Sequence, residues 1–515
     1  MNMKHAILII AYHQADFIKR CIDNFDDDFL VFIHWDKRAE LTEADQAMLA
    51  GHPCVKFLGK DYPVNWGSYG LVRVTLLLCR EAMKHGDVEY FHLISDADML
   101  TRNAACFKHF FQIHKGENFM EYGKYNSESG TFDEECFQKM TLFHRTEKYN
   151  LRDQEEHKRY AAELEEQRKS NKRRPLPGIP LYGGPAWWSL TRECVAYLLE
   201  KEDYIEQLYT DTLLPDEMFT QTLLMNSPFA STVVNKHLRY ICWEHRNGNR
   251  PAVLDESDFA RVLRGDFFFA RKVDPEGVSK PFVRLVDEIC LHAPFIADGT
   301  KETWESLLDT IHSFLYAKRD IYKVRGYRYG TIGVWIFLYL YGKLRHSPFD
   351  LPACLEQTAE VWEEDLDTET PSEEWGFLGM AVCMEYLYQF MDCSLLDVAL
   401  DEVNDYAYNY LCNMGTEEID EEWRASFQAY FHYREKNGRL TETDRKVWNI
   451  LNKEKTACTA AAWTFSCPEE VAERMNRTSS LGLSGYAGLG LALLAKITGK
   501  EQADWWPLLD LIQKQ

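Results

Sequence analysis

Short apolar runs alternate with amphipathic stretches along roughly the first 100 residues, and this alternation limits the possible folds more than any other feature of the chain. "AILIIA" is followed by the helix-like "ADFIKRCIDNF", then by "FLVFIHWD", "LVRVTLLLCREAMKH" and "YFHLIS". Strands separated by helices predict a mostly parallel sheet of α/β type. In such sheets ligands gather at the carboxyl ends of the strands. Two of the expected strands run directly into acids, "FIHWD" into Asp36 and "FHLISDAD" into Asp96 and Asp98.

From residue 296 onward the texture changes to helical periodicity without strand alternation. The expected division is therefore an α/β domain over 1–295 and an all-α domain over 296–515. In the second, "YGTIGVWIFLYLYGKL", "WGFLGMAVCMEYLYQF" and "LSGYAGLGLALLAKITG" each set a G-x-x-G ahead of an apolar helix, at Gly330/Gly333, Gly376/Gly379 and Gly485/Gly488. A degenerate unit is expected near "RASFQAYFHYRE". A repeat of about 50 residues predicts stacked helical hairpins, with glycine letting helix ends approach closely.

Composition narrows the partners. A net charge of −23 argues against nucleic acid. The 14 cysteines include no C-x-x-C pair, so buried free thiols are expected rather than a disulfide framework or a structural metal. The apolar run at 6–11 is too short to span a bilayer and lacks a cleavage pattern, so it reads as a buried strand of a cytoplasmic protein.

Several motifs can carry chemistry. In "LLPDEMFTQTLLMN", Asp216 and Glu217 follow Pro215 at an expected helix start. Acids there offset the helix dipole; alternatively Glu217, its backbone fixed, points a carboxylate into a cleft as a general base. Asp96-Ala97-Asp98 offers a D-x-D pair for a divalent cation, whereas Arg239 in "LRYICW" and Lys272 in "FARKV" offer fixed positive charge. Either set could neutralise a departing diphosphate, were this half to transfer a sugar from a nucleotide donor. The stretch 151–174, "LRDQEEHKRYAAELEEQRKSNKRR", is almost wholly charged and reads as a solvated insertion or as a lid over an acceptor site.

Taken in order, "AILIIAYHQ", "FIHWDKR", "VNWGSYGLV", "YFHLISDADMLTRN", "LYGGPAWWSLTRECVAYLLE", "LLPDEMFTQTLL", "LRYICW" and "FFFARKVD" resemble the core-2/I-branching β-1,6-N-acetylglucosaminyltransferase family, which includes the protein xylosyltransferases. The resemblance covers about 4–275. It implies a GT-A type, Rossmann-like domain and inverting transfer from a UDP-sugar, with Glu217 as base and Arg239 and Lys272 neutralising the diphosphate in place of a metal. Asp36 and Trp66 match uridine contacts and Asp98 lies among the donor-binding positions; Glu121 matches an acceptor-binding acid, and Trp187 or Trp188 could stack on a sugar. The family usually has glycine at the position of Asp96, so "SDAD" leaves Mn²⁺ or Mg²⁺ on Asp96 and Asp98 as the alternative to a cofactor-free site. The second half more faintly resembles the α/α toroid of lanthionine synthetase C-like proteins, without their Cys/His zinc ligands. The expected protein is a bacterial-type glycosyltransferase that builds a polysaccharide or glycoconjugate by moving N-acetylglucosamine or xylose to a glycan hydroxyl. A peptide Ser or Thr acceptor docked by the helical domain, and a non-catalytic scaffold, are the alternatives.

Overall fold

The computed structural model describes residues 3–125, 137–324, 330–354, 377–389, 421–442 and 463–499, with 400, 444, 445, 505 and 508. It divides into two compact units, Met1–Glu256 with Asp266–Arg284, and Ser257–Gly265 with Leu285–Gln515. The excursion over Ser257–Gly265 into the second unit is not signalled by hydrophobic period, because a short segment follows whichever core it contacts.

The first unit is built on β1 (Lys4–Ala11), β2 (Phe29–Trp35), β3 (Val55–Gly59), β4 (Val88–Ser95), β5 (Asp98–Leu100), β6 (Asn118–Met120), β7 (Gly123–Lys124), β8 (Tyr182–Gly183), β9 (Trp188–Thr191), β10 (Val233–Val234), β11 (Arg239–Ile241) and β12 (Phe269–Arg271). A seven-stranded sheet runs β10-β6-β9-β4-β1-β2-β3. The expected parallel sheet is present in its β4-β1-β2-β3 half. The other half differs: β9 is antiparallel to both β4 and β6, which makes the sheet mixed. The chain leaves the sheet between β6 and β9 over a long excursion, and that return needs no crossover helix. A smaller sheet, β11-β12-β5, sets Arg271 opposite Asp98.

Central β1 is covered on both faces, hence its unbroken apolar reading. Residues Ala6 and Leu8 join Val72, Leu76 and Cys79 of the helix Tyr69–Met83 in one core, against Leu190 and Leu223. On the other face His5 meets Phe107 and Phe111 edge-on. Each buried aliphatic side chain contributes about 1.5–3 kcal/mol, so the sheet edge is anchored by many such contacts.

The second unit is helical. The helix Trp304–Lys318 opens with a capping box between Thr303 and Ser306. It and the helix Thr331–Arg345 pack on Tyr486–Thr498, while Phe377–Tyr388 packs on Glu421–Lys436, the expected degenerate unit. Glycine does allow close approach: a side chain at Gly490 would collide with the Phe337 ring, and one at Gly488 with the Leu483 carbonyl. Gly376 lies outside the described residues. Glu385, fully buried, accepts from Arg434 at 3.0 Å and from Asn437 at 2.9 Å. Burial pushes its carboxyl up, opposed by Asn437 and the two arginines Arg434 and Arg439. Among the described residues these helices form an all-α unit of paired helices. No helix among the described residues is long and apolar enough to cross a membrane, and the ten described cysteines are free thiols, seven of them buried.

Candidate active site

Because β1, β2 and β4 are parallel, their carboxyl ends share one edge, and the chain beyond each turns over it. Asp96, after β4, accepts from the Tyr12 and His13 N–H groups at 2.8 and 2.9 Å, and lies 2.8 Å from His13 Nδ1. It staples the turn after β1. Burial disfavours the His13 imidazolium, yet the hydrogen bond and charge of Asp96 outweigh it and raise its pKa. Asp98 accepts from Ser95 N–H at 2.9 Å and Ser95 Oγ at 2.5 Å, with Arg271 Nε at 3.4 Å; its other oxygen is buried without a hydrogen-bond partner. The D-x-D pair is thus split between two local tasks, and its second member faces guanidinium groups. No group of three or more His, Cys, Asp or Glu among the described residues could hold a metal ion.

The cations are arranged differently from the expectation. Arg239 is fully buried. Its guanidinium donates to the carbonyls of Trp188 at 2.7 Å, Leu93 at 3.1 Å and His237, and to Ser189 Oγ at 2.9 Å. Burial lowers its pKa to about 9, with Asp98 opposing, so it remains a cation at neutral pH. These hydrogen bonds make Arg239 a brace between strands, while its Nε is buried without a partner. Lys272 stays partly accessible, and among the described residues its ammonium has no hydrogen bond or ion pair. Sequence reasoning missed Arg271, whose guanidinium lies 3.9 Å over the Trp187 ring and beside Asp98. Its only signal was adjacency to Lys272; its pairing with Asp98 is tertiary.

The two tryptophans part company. Trp188 is the first residue of β9 and is wholly buried, so it cannot stack on a sugar. Trp187, the residue before β9, is only partly buried against the same core and keeps some exposed surface.

Asp36, after β2, accepts from the Arg38 and Val64 N–H groups at 2.8 and 2.9 Å and from the Arg38 guanidinium. Burial would raise its pKa, but the Arg38 and Val64 hydrogen bonds and the charge of Arg38 hold it below the ordinary range. Arg38 also donates to Asn65 at 2.7 Å, next to Trp66, which is 47% exposed. The turn after Trp66 needs glycine, since Gly67 has φ +73°, and the Gly67 carbonyl accepts from Leu214 N–H at 3.1 Å.

That bond docks the Trp66 turn on the residues just before the carboxyl pair. Pro215–Glu217 forms a single 3-10 turn, entered through Leu214 in the left-handed region, and the α-helix Phe219–Met225 follows. Burial first, and then the negative charge of Glu217, push the Asp216 carboxyl up to about 8, against its own backbone hydrogen bond and Lys139. Glu217, beside it, is half-buried. The Glu217 carbonyl accepts from Gly184 N–H at 2.9 Å, and any side chain at Gly184 would strike the Glu121 carbonyl. Glycine at 184 thus brings Glu121 and Glu217 together. His237 Nδ1 accepts from Arg239 N–H at 3.0 Å, so its proton sits on Nε2, 3.1 Å from Glu121. That hydrogen bond lowers the Glu121 pKa.

A groove of about 760 Å³ opens at the opposite, amino-terminal edge of the sheet. Its cations are consumed: Lys4 by Asp87, Lys115 by Glu89, and Arg192 by main-chain carbonyls. The carboxyl edge, in contrast, keeps the Lys272 ammonium partly accessible.

The family model for the core-2/I-branching enzyme matches residues 6–263. Xylosyltransferase 2 of Rattus norvegicus is 26% identical over 310 residues, covering 55% of this chain and 33% of that protein. Xylosyltransferase 2 of Homo sapiens is likewise 26% identical over 310 residues, with the same coverage. Xylosyltransferase 1 of Mus musculus is 23% identical over 322 residues, 58% of this chain and 31% of that protein. The chain spans about a third of the length of these curated relatives. The mixed sheet with its flanking helices fits a GT-A-like domain.

Replacing Arg239 by Met leaves three carbonyls and a hydroxyl without their donor and should destabilise the first unit by about 3–5 kcal/mol. A lower urea midpoint at equal slope would report it; an unchanged midpoint would contradict the bracing role. For Asp216 the folded pKa lies above the unfolded value of about 4. Its contribution to stability is therefore complete below that value and is lost as pH rises through about 8. Asp216→Asn should accordingly raise Tm relative to wild type by an amount that grows from pH 4 to pH 8, and a difference independent of pH would refute the assignment.

Proposed function

The chain belongs to the core-2/I-branching enzyme family, and on that basis we propose that its α/β unit is an inverting glycosyltransferase moving a sugar from a UDP donor to an acceptor hydroxyl. The observation that carries this reading is the carboxyl pair. The Asp216 carboxyl is pushed up by burial and by its neighbour Glu217, and the Glu217 main chain is tied through Gly184 to that of Glu121 and through Leu214 to the Trp66 turn. A base, an acceptor-side acid and an exposed aromatic face are thereby held on one edge.

In this mechanism the acceptor oxygen attacks the anomeric carbon opposite UDP while its proton passes to Glu217. The bond from carbon to the donor phosphate oxygen breaks and its electron pair stays on UDP. Lys272 and Arg271 neutralise that charge, and Asp98 orients Arg271. Trp66 stacks on the nucleobase near Asp36. Trp187, with Arg271 on one face, borders the sugar side. The relatives' names support including UDP-xylose beside UDP-N-acetylglucosamine in a donor screen. Glycan and Ser/Thr peptide acceptors form its second axis, and UDP release with any of them would exclude a purely scaffolding protein.

Glu217→Gln should lower kcat by about 10²–10⁴-fold while leaving UDP affinity near that of wild type. Asp216→Asn, which keeps a neutral group beside Glu217, should retain turnover that Glu217→Gln lacks; full activity in Glu217→Gln removes the base. With cations in the place of a metal, transfer should also survive excess EDTA, and loss restored by Mn²⁺ would return Asp96 and Asp98 to consideration.

A further inference from the structure

Because β9 is antiparallel to both β4 and β6, β6 runs parallel to β4, and Glu121, the residue after β6, leaves the sheet at the carboxyl edge. Strand β10 is parallel to β6, so residues 235–237 leave at the same edge. The two exits are clasped together. Tyr122 N–H donates to Asn235 Oδ1 at 2.8 Å, and Asn235 Nδ2 donates back to the Tyr122 carbonyl at 3.1 Å. On the other side Gly123 pairs with Gly183, and Gly184 leaves no room for a side chain against the Glu121 carbonyl. The main chain at Glu121 is thereby fixed, while its side chain is 51% exposed and has no packing to hold it.

His237 supplies what packing does not. The ring is buried, its Nδ1 accepts from Arg239 N–H at 3.0 Å, and its Nε2 lies 3.1 Å from Glu121 Oε2. Leu238, between His237 and Arg239, is buried at φ +60°, a left-handed conformation that a leucine rarely adopts. Its carbonyl accepts from Phe268 N–H at 3.0 Å, which ties this turn to the strand β12. A disfavoured backbone turn, a buried ring and a fixed tautomer thus converge on one carboxylate oxygen. Among the described residues no other side chain bonds to the Glu121 carboxylate. Its second oxygen is an acceptor, suited to a hydroxyl.

We propose that His237 is a positioning residue of the acceptor side: it pins one oxygen of Glu121 and so presents the other, in a single orientation, to a hydroxyl of a sugar acceptor. The Glu217 carbonyl accepts from Gly184 N–H, so the pinned acid and the base stand on a shared piece of main chain. Holding Glu121 in advance spares the acceptor the entropy of ordering it. This inference rests on the transferase reading given above.

The test uses the full chain saturated with UDP and titrated with the methyl β-glycosides of glucose, galactose and xylose, followed by saturation-transfer NMR. His237→Asn keeps an acceptor for Arg239 N–H but loses the reach to Glu121, and should weaken the glycoside that wild type binds by about three- to tenfold. His237→Gln, whose amide nitrogen reaches the place of Nε2, should restore most of that binding. In a Glu121→Ala background His237→Asn should have no further effect, and UDP affinity measured by calorimetry should stay at the wild-type level throughout. Wild-type glycoside binding in His237→Asn, or a loss that persists without Glu121, overturns the positioning role. If wild type binds UDP but none of the glycosides, the inference falls and the transferase reading survives. If wild type neither binds UDP nor releases it from UDP-xylose or UDP-N-acetylglucosamine, both fall.

Discussion

The carboxyl edge depends on one buried guanidinium. Removing Arg239 from water costs several kcal/mol, and the fold offsets this with acceptors drawn from three separate places. The Leu93 carbonyl belongs to β4, the Trp188 carbonyl and Ser189 hydroxyl to β9, and the His237 carbonyl to the segment entering β11. Arginine can serve here because its planar fork presents several donors at once, a geometry that lysine lacks. Polar order propagates outward from it. Ser189 accepts from Arg239 and so donates to His92, whose remaining N–H is left for His5. Burial keeps both histidines neutral, His5 at about 3. In the other direction the Arg239 backbone fixes the tautomer of His237 and, through it, Glu121.

Rigid support and accessible charge are separated by this arrangement. Asp96, Arg239 and Trp188 are buried and fully committed to holding turns and strands. Glu217, Trp66, Trp187, Arg271 and Lys272 stand on what those residues hold. Each retains some exposed surface at the edge. Precision at a site of this kind comes from the supporting shell, since a half-exposed side chain has no packing of its own to lock it. Gly184 and Gly67 complete the support: the first lets two backbones meet between Glu121 and Glu217, and the second turns the chain beneath Trp66 toward Leu214.

Charge is also sorted along the edge. Burial and the neighbouring Glu217 push the Asp216 carboxyl up, because two carboxylates in a poorly solvated turn resist ionising together. At the opposite side the cations outnumber the acids that could answer them, with Asp98 shared between Arg271 and Arg239.

The sequence by itself determined the α/β character of the first half, the helical character of the second and the placement of acids beyond β2 and β4. Those features follow from local periodicity and from where apolar runs stop. It also marked Asp36, Trp66, Glu121, Glu217 and Lys272, all of which stand accessible or partly accessible on the carboxyl edge, apart from the nearly buried Asp36. Only the tertiary structure decided which of two adjacent, chemically similar residues takes which task. Arg239 goes inside while Arg271 stays partly exposed, and Trp188 fills the core while Trp187 keeps some exposed surface. The physical reason is the same in each case: desolvation and hydrogen-bond supply are set by groups distant along the chain, and no local pattern encodes them.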